Sequence, residues 1–218
     1  MRIKGNLGAI ANVLVIGLVG YVLVRPVGPV GSAITRWRND AAVRALIVER
    51  WTEISQAPRL DTSDAQVAIV EFSDYECPVC KIQHKMLQQV SNDPRVGGLA
   101  FRHLPLPNHP RAADAARAAI CAEQQGRFRQ FHDRLFSSDG WISTADWSSE
   151  ALRAGVPDLA AFNACLTSDE TSSRLQKDIA LATALRIRGT PAYVHREGVI
   201  SGSIADSVFL RIAARTQQ

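Results

Sequence analysis

The sequence predicts an α/β domain in which a strand, a helix and a second strand are followed by a helical block, then by a hairpin and a closing helix. Three observations lead there. The run Val67-Ala68-Ile69-Val70-Glu71-Phe72 has the length and β-branched content of a buried strand, and it feeds Cys77-Pro78-Val79-Cys80 at the start of a helical pattern. From Arg111 to about Ile187 nearly every segment carries helical periodicity. Beyond it, Ala192 to His195 and Val199 to Ser201 flank Glu197-Gly198, a short hairpin signal, and Ile204 to Ala214 reads as the last helix.

Taken in order, the chain opens with an uncharged stretch from Leu7 to Val24, about 18 residues, which reaches the lower limit for a membrane-spanning helix. An N-terminal transmembrane helix is expected there, as an uncleaved signal anchor. A cleaved signal peptide is the rival, but its apolar core usually covers about 7–15 residues and ends in small residues. Here the stretch runs into Arg25-Pro26, and Gly31-Ser32-Ala33 lies well beyond it. Arg2 and Lys4 precede the span while Arg25, Arg36 and Arg38 follow, so charge does not fix the topology. Disulfide chemistry favours a cytoplasmic N-terminus and an exported C-terminal domain.

Val27 to Ser32 reads as a linker, and Ile34 to Gln56 as a helix with Trp37, Ala41, Ala45, Val48 and Trp51/Thr52 along one face, ended by Pro58. The expected layout is an anchor with linker over 1–32, a helical connector over 33–59, and the catalytic domain over 60–218. Within that domain Lys81 to Val90 is helical through Ile82, Met86, Leu87 and Val90, Asn92-Asp93-Pro94 breaks it, and Val96 to Leu104 is a second strand. Pro105, Pro107 and Pro110 turn the chain into the helical block. Ala112 to Ala122 is alanine-rich, Gly126 interrupts, and Phe128, Phe131 and Leu135 form a stripe at helical spacing. Leu159, Phe162 and Leu166 repeat that spacing, and Leu175, Ile179, Ala182 and Leu185 mark a longer helix stopped by Gly189.

The bulk balance of 46% hydrophobic and 21% charged residues is that of an ordinary globular chain. The formal charge of +4 comes from the N-terminus, because the first acidic residue is Asp40. Without Arg2, Lys4 and Arg25 the chain holds 22 basic against 21 acidic residues. No block of Lys and Arg with interleaved aromatics appears, which argues against nucleic acid as a partner.

Two cysteines separated by two residues at a helix start describe a dithiol/disulfide exchange site. The thiolate is the nucleophile, so the attacking cysteine needs its ionised form stabilised. Cys77 at the helix N-cap, with Pro78 at the first helical position, would face unpaired backbone N–H groups and the positive dipole end. Cys80, one turn further in, is then the less exposed resolving thiol. Lys81, His84 and Lys85 add positive charge nearby or point into solvent. The alternative, half of a zinc site, needs two more ligands, and Cys121 and Cys165 do not form a second pair of that spacing.

Glu71 is costly to bury ionised within its strand. Facing inward it would relay protons to or from Cys80; facing outward it is a solvated strand-end carboxylate. Thr190-Pro191 opens the last strand pair, where proline belongs at a strand start. A cis bond would expose the Thr190 backbone to an extended substrate, while trans is the commoner state. In an oxidising compartment Cys121 and Cys165 are expected to pair, closing 44 residue steps and adding roughly 4 kcal/mol in the chain-entropy description. Two buried free thiols are the alternative. The histidines read mostly as structural or surface residues, and no metal site is expected.

The run Val70-Glu71-Phe72-Ser73-Asp74-Tyr75-Glu76-Cys77-Pro78-Val79-Cys80-Lys81 resembles the strand, buried acid and active-site helix of the DsbA-like thiol:disulfide oxidoreductases. His103-Leu104-Pro105-Leu106, Gln125-Gly126-Arg127-Phe128, His132-Asp133 and Gly189-Thr190-Pro191 extend the likeness from about Ala65 to the C-terminus. The resemblance implies a thioredoxin fold with a mixed central sheet, interrupted by an α-helical insertion at about 105–187. It implies that Cys77 attacks, Cys80 resolves, Glu71 relays protons, Thr190 and cis Pro191 meet substrate, and Cys121 pairs with Cys165. Val79 stands where such oxidases often carry histidine or tyrosine, so a strongly oxidising potential does not follow.

The resulting expectation is a membrane-anchored periplasmic oxidoreductase, single-pass in the inner membrane, that exchanges its disulfide with unfolded or cysteine-containing exported proteins, as an oxidase. It needs no cofactor beyond the Cys77–Cys80 pair, and it needs a redox partner that recharges that pair. An isomerase or reductase of the same fold is the first alternative, and a non-catalytic binding or chaperone-like module the second.

Overall fold

The computed structural model describes residues 29–61, 65–90, 93 and 96–215, with residues 29–39 and 215 described by their backbone alone. The expected span from Leu7 to Val24 lies outside the described residues. Among those described, no helix is long and apolar enough to cross a membrane. The chain divides into two compact units at Ala45/Leu46, within the first of the described helices, α1 (Pro29–Ser55).

In the second unit, the end of α1 buries Ile47, Trp51 and Ile54, and Val48 is 71% exposed. Of the face expected through Ala41, Ala45, Val48 and Trp51/Thr52, only Trp51 is buried, and the others are exposed. Ile47 and Val48 are adjacent and equally apolar, so only packing decides between them, and Ile47 continues the spacing of Trp51 and Ile54. The helix is interrupted at Arg50, whose φ/ψ of −105°/17° is not helical. Its last carbonyls are taken up by Arg102, which donates to the carbonyl oxygens of Ile54 (3.0 Å), Gln56 (3.1 Å) and Glu53 and also pairs with Asp178. A guanidinium with five donors suits a helix end that leaves carbonyls unpaired.

Among the described residues four strands form one mixed sheet in the order β2-β1-β3-β4: β1 (Val67–Ser73), β2 (Gly98–His103), β3 (Ala192–His195) and β4 (Gly198–Ser201). β1 is parallel to β2 and antiparallel to β3, and β3–β4 is the hairpin expected around Glu197-Gly198. All of β1 beyond Val67 is buried, which its near-continuous apolar run anticipates for a strand covered on both faces. Helix α2 (Pro78–Val90) makes the crossover from β1 to β2, buries Cys80, Met86, Leu87 and Val90, and ends near the break expected at Asp93. Ile82, expected on the apolar face, is 66% exposed. Gln83 takes the inward position instead, accepting from the Ile204 N–H (2.8 Å) and the Tyr193 hydroxyl (3.1 Å).

Between β2 and β3 lie α3 (Ala112–Gln124), α4 (Phe128–Ser137), α5 (Gly140–Thr144), α6 (Trp147–Arg153), α7 (Leu159–Leu166) and α8 (Asp169–Ala184); α9 (Asp206–Arg215) closes the chain. The alanines of α3 are nearly all buried, and their small side chains let α4, α7 and α8 approach closely. Gly126, at φ +69°, turns α3 into α4 where a side chain would be strained. Asp146, Asp158 and Ser168 cap α6, α7 and α8 by accepting from backbone N–H groups of Ser149, Ala161 and Thr171. Cys121 of α3 and Cys165 of α7 form a disulfide, with Cα atoms 5.8 Å apart.

Candidate active site

The strand β1 delivers its last residues into a turn built by Asp74. This buried carboxylate accepts from the backbone N–H of Glu76 (2.8 Å) and of Leu106 (2.7 Å), and its Oδ2 lies 2.8 Å from His109 Nδ1. Glu76 accepts from the Arg111 N–H at 2.8 Å. Two acids on either side of Tyr75 thus fasten the cysteine-bearing turn to the proline-rich loop before α3. Neither Asp74, Glu76 nor His109 stands out in the sequence as a site residue, because their partners lie 32 to 35 residues away.

Cys77 occupies the expected helix start. Its carbonyl accepts from the Lys81 N–H (3.1 Å), and Pro78, which has no N–H to leave unpaired, is the first helical residue. The Cys77 thiol, largely buried, lies 3.7 Å from the carbonyl oxygen of Thr190, and Cys80 is fully buried; both thiols are free. Thr190-Pro191 is cis, which resolves the alternative left open by the sequence. Thr190 Oγ1 is buried without a hydrogen-bond partner, and Val79, 42% exposed, leaves an apolar edge beside the dithiol.

The two thiols are driven apart electrostatically. Hydrogen bonding from the Cys80 thiol lowers Cys77 most, with help from the Cys80 and Val79 backbone N–H groups, against the opposing effect of burial; the result is a pKa of about 5. Burial, followed by the interaction with Cys77, pushes Cys80 far up, and Glu71 adds to the rise. One sulfur is therefore ionised at neutral pH while the other keeps its proton. The cations expected near Cys77 take other roles. Lys81 pairs with Asp139 (2.6 Å), His84 is buried near Asp133, and Lys85 is exposed.

Glu71 faces inward, 2% exposed, in register with Phe101 of β2 and Tyr193 of β3, and its Oε1 has no partner. Burial raises its pKa to about 8, partly countered by Ser73 and reinforced by Cys77. A carboxyl poised near neutrality beneath a protonated thiol can give or take the proton that thiol exchanges. The two cysteines that a zinc site would have needed are consumed by the disulfide in the insertion.

The thioredoxin family profile matches residues 58–212. The chain belongs to the thioredoxin family. Between β2 and β3 the helical insertion interrupts the thioredoxin fold, and the two free thiols stand at the start of α2. A thioredoxin-like oxidoreductase from Silicibacter pomeroyi is 29% identical, with a TM-score of 0.66 over 74% of this chain and 92% of that one. The thiol-disulfide exchange protein alpha-DsbA2 from Wolbachia pipientis shares the fold at 22% identity, with a TM-score of 0.70 over 83% of this chain and 98% of that one. The Na(+)/H(+) antiporter NhaA 3 of Salinispora tropica is 33% identical over 131 residues, 60% of this chain and 20% of that protein. The chain thus spans about a fifth of the length of that curated relative.

Proposed function

We propose that this protein is a membrane-anchored periplasmic oxidase that passes the Cys77–Cys80 disulfide to exported polypeptides. The observation that carries the reading is the asymmetry of the two thiols: a stabilised Cys77 thiolate beside the Thr190 carbonyl, above a buried, protonated Cys80. Stabilising the reduced form makes the disulfide a stronger oxidant, and here backbone and thiol donors supply that stabilisation with an aliphatic residue, Val79, between the cysteines. The uncharged stretch from Leu7 to Val24 supports the anchor, and the Cys121–Cys165 disulfide supports an oxidising compartment.

A substrate thiolate attacks Cys77 Sγ, the Cys77–Cys80 bond breaks, and Cys80 leaves with the electron pair and takes a proton from Glu71. A second substrate thiolate then attacks the substrate sulfur of the mixed disulfide and expels Cys77 as thiolate. The substrate gains a disulfide, the enzyme gains two electrons, and a separate redox partner must remove them. An extended substrate would pair with the Thr190 backbone, whose neighbouring hydroxyl oxygen lacks a partner.

The test is the equilibrium of the Cys77–Cys80 pair with glutathione. An oxidase equilibrates at a potential well above the glutathione couple, nearer the roughly −120 mV of strong oxidants than the roughly −270 mV of reductants. A value at the reducing end would replace the oxidase reading by that of a reductase.

A further inference from the structure

We propose that His84, His132 and Asp133 form a binding site for a divalent transition-metal ion of the zinc class, joining the helix that carries the thiols to the helical insertion. One ligand atom from each residue lies within 4.8 Å of the others. The geometry already has one side right: His84 Nε2 is 3.4 Å from Asp133 Oδ1. A tetrahedral ion with bonds of about 2.0–2.1 Å separates its ligands by about 3.3–3.4 Å, so that pair needs no movement. Bringing in His132 needs a closure on the order of 1 Å.

Two further observations point to a ligand. His84 and His132 are 6% and 0% exposed, and Nε2 of each ring is buried without a hydrogen-bond partner. Buried polar atoms are rarely left unpaired, and one ion would satisfy both rings at once. His132 is also held as metal-binding histidines usually are, with its other nitrogen, Nδ1, 3.2 Å from the Tyr75 hydroxyl. The three residues share a narrow crevice with Leu60, Leu87 and Leu99, and the 37% exposure of Asp133 gives an ion its way in.

Arg129 stands at the same crevice, its Nε 4.0 Å from Asp133 Oδ2 and its Nη1 without a partner. That long ion pair is weak, and binding exchanges it for the metal. Imidazole and carboxylate ligands suit zinc, and three protein ligands leave a fourth position for water. His84 lies two turns beyond Cys77 on α2 and His132-Asp133 on α4, so the ion would fasten the helical insertion to the core helix of the exchange site.

Reduced thiols bind zinc themselves, so the full chain is titrated with Zn²⁺ in its oxidised form, with Cys77 and Cys80 joined, by calorimetry. The expected result is saturable binding of a single ion per chain, weakened about 10²-fold or more in Asp133→Asn and in His84→Gln. Substituted Co²⁺ should show tetrahedral bands without sulfur charge transfer. No saturable binding by the oxidised protein, or undiminished binding in either variant, overturns the proposal. If His84→Gln does not fold, the oxidised parent and the part-exposed Asp133→Asn decide.

Discussion

Replacing Cys77 by serine should lower the rate of disulfide exchange with a peptide dithiol by on the order of 10³-fold or more, without unfolding the protein. The hydroxyl is nearly isosteric at a position where the sulfur makes a long contact with the Thr190 carbonyl. It does not ionise near neutrality, so the nucleophile disappears while the backbone donors around it remain. Cys80→Ala should behave differently. The reduced enzyme then attacks a substrate disulfide normally but cannot release itself, and a mixed disulfide through Cys77 accumulates on a non-reducing gel. Exchange surviving in Cys77→Ser and lost in Cys80→Ala would reverse the two roles.

With Cys80 in place, Glu71→Gln should slow resolution of the Cys77 mixed disulfide by about 10²-fold, the lower end of what a positioned proton carrier supplies. The buried Cys80 thiol has its pKa pushed far up, so its attack requires a local proton acceptor. Alkylation of Cys77 should change little, which separates a relay from a general disturbance of the site. The same variant has a stability signature. Native Glu71 keeps its proton up to about pH 8, against an ordinary value of 4.5, so the folded state holds a proton that the unfolded state has lost between those values. Its contribution to stability is full below about pH 4.5 and is lost as pH rises through about 8, by about 1.4 kcal/mol per pH unit. Glutamine removes that slope. Measured on the oxidised protein, where the thiols do not titrate, the variant should gain on the parent as pH rises; equal slopes would place Glu71 outside the buried relay.

Much of this site was legible because its chemistry is written locally. The run from Val67 through Cys80 places an apolar strand, an interior acid and a dithiol at a helix start within 14 residues, and each follows from periodicity or backbone chemistry. The order of elements along the chain, with its helical block, also follows from apolar periodicity and turn residues, whereas the mixed sheet came from the resemblance. The pairing of Cys121 with Cys165 follows from an oxidising compartment, while the cis state of Thr190-Pro191 needed the resemblance.

What escaped depends on partners far along the chain. Asp74 reads as a polar turn residue until Leu106 and His109 close around it, and Lys81 reads as a source of positive charge until Asp139 takes it. The choice between Ile47 and Val48 lies beyond pattern, because neighbours of equal hydropathy differ only in what packs on them. His84 and His132 look like isolated histidines at a separation of 48 residues, and only the packing of α2 against α4 brings them together. Gln83 shows the reverse case, a polar residue drawn inward because Tyr193 and Ile204 supply its hydrogen-bond partners.

The most direct measurement is the pH dependence of Cys77 alkylation in the reduced protein, followed by mass spectrometry so that each sulfur is read separately. The account predicts a rate that rises through a midpoint near pH 5 and is flat above it, with Cys80 unmodified throughout. The reduction potential should change in step: above that midpoint reduction takes up one proton instead of two, so its slope against pH halves. A midpoint near 9, the ordinary thiol value, with both sulfurs reacting alike, would contradict the assignment of Cys77 as the activated nucleophile.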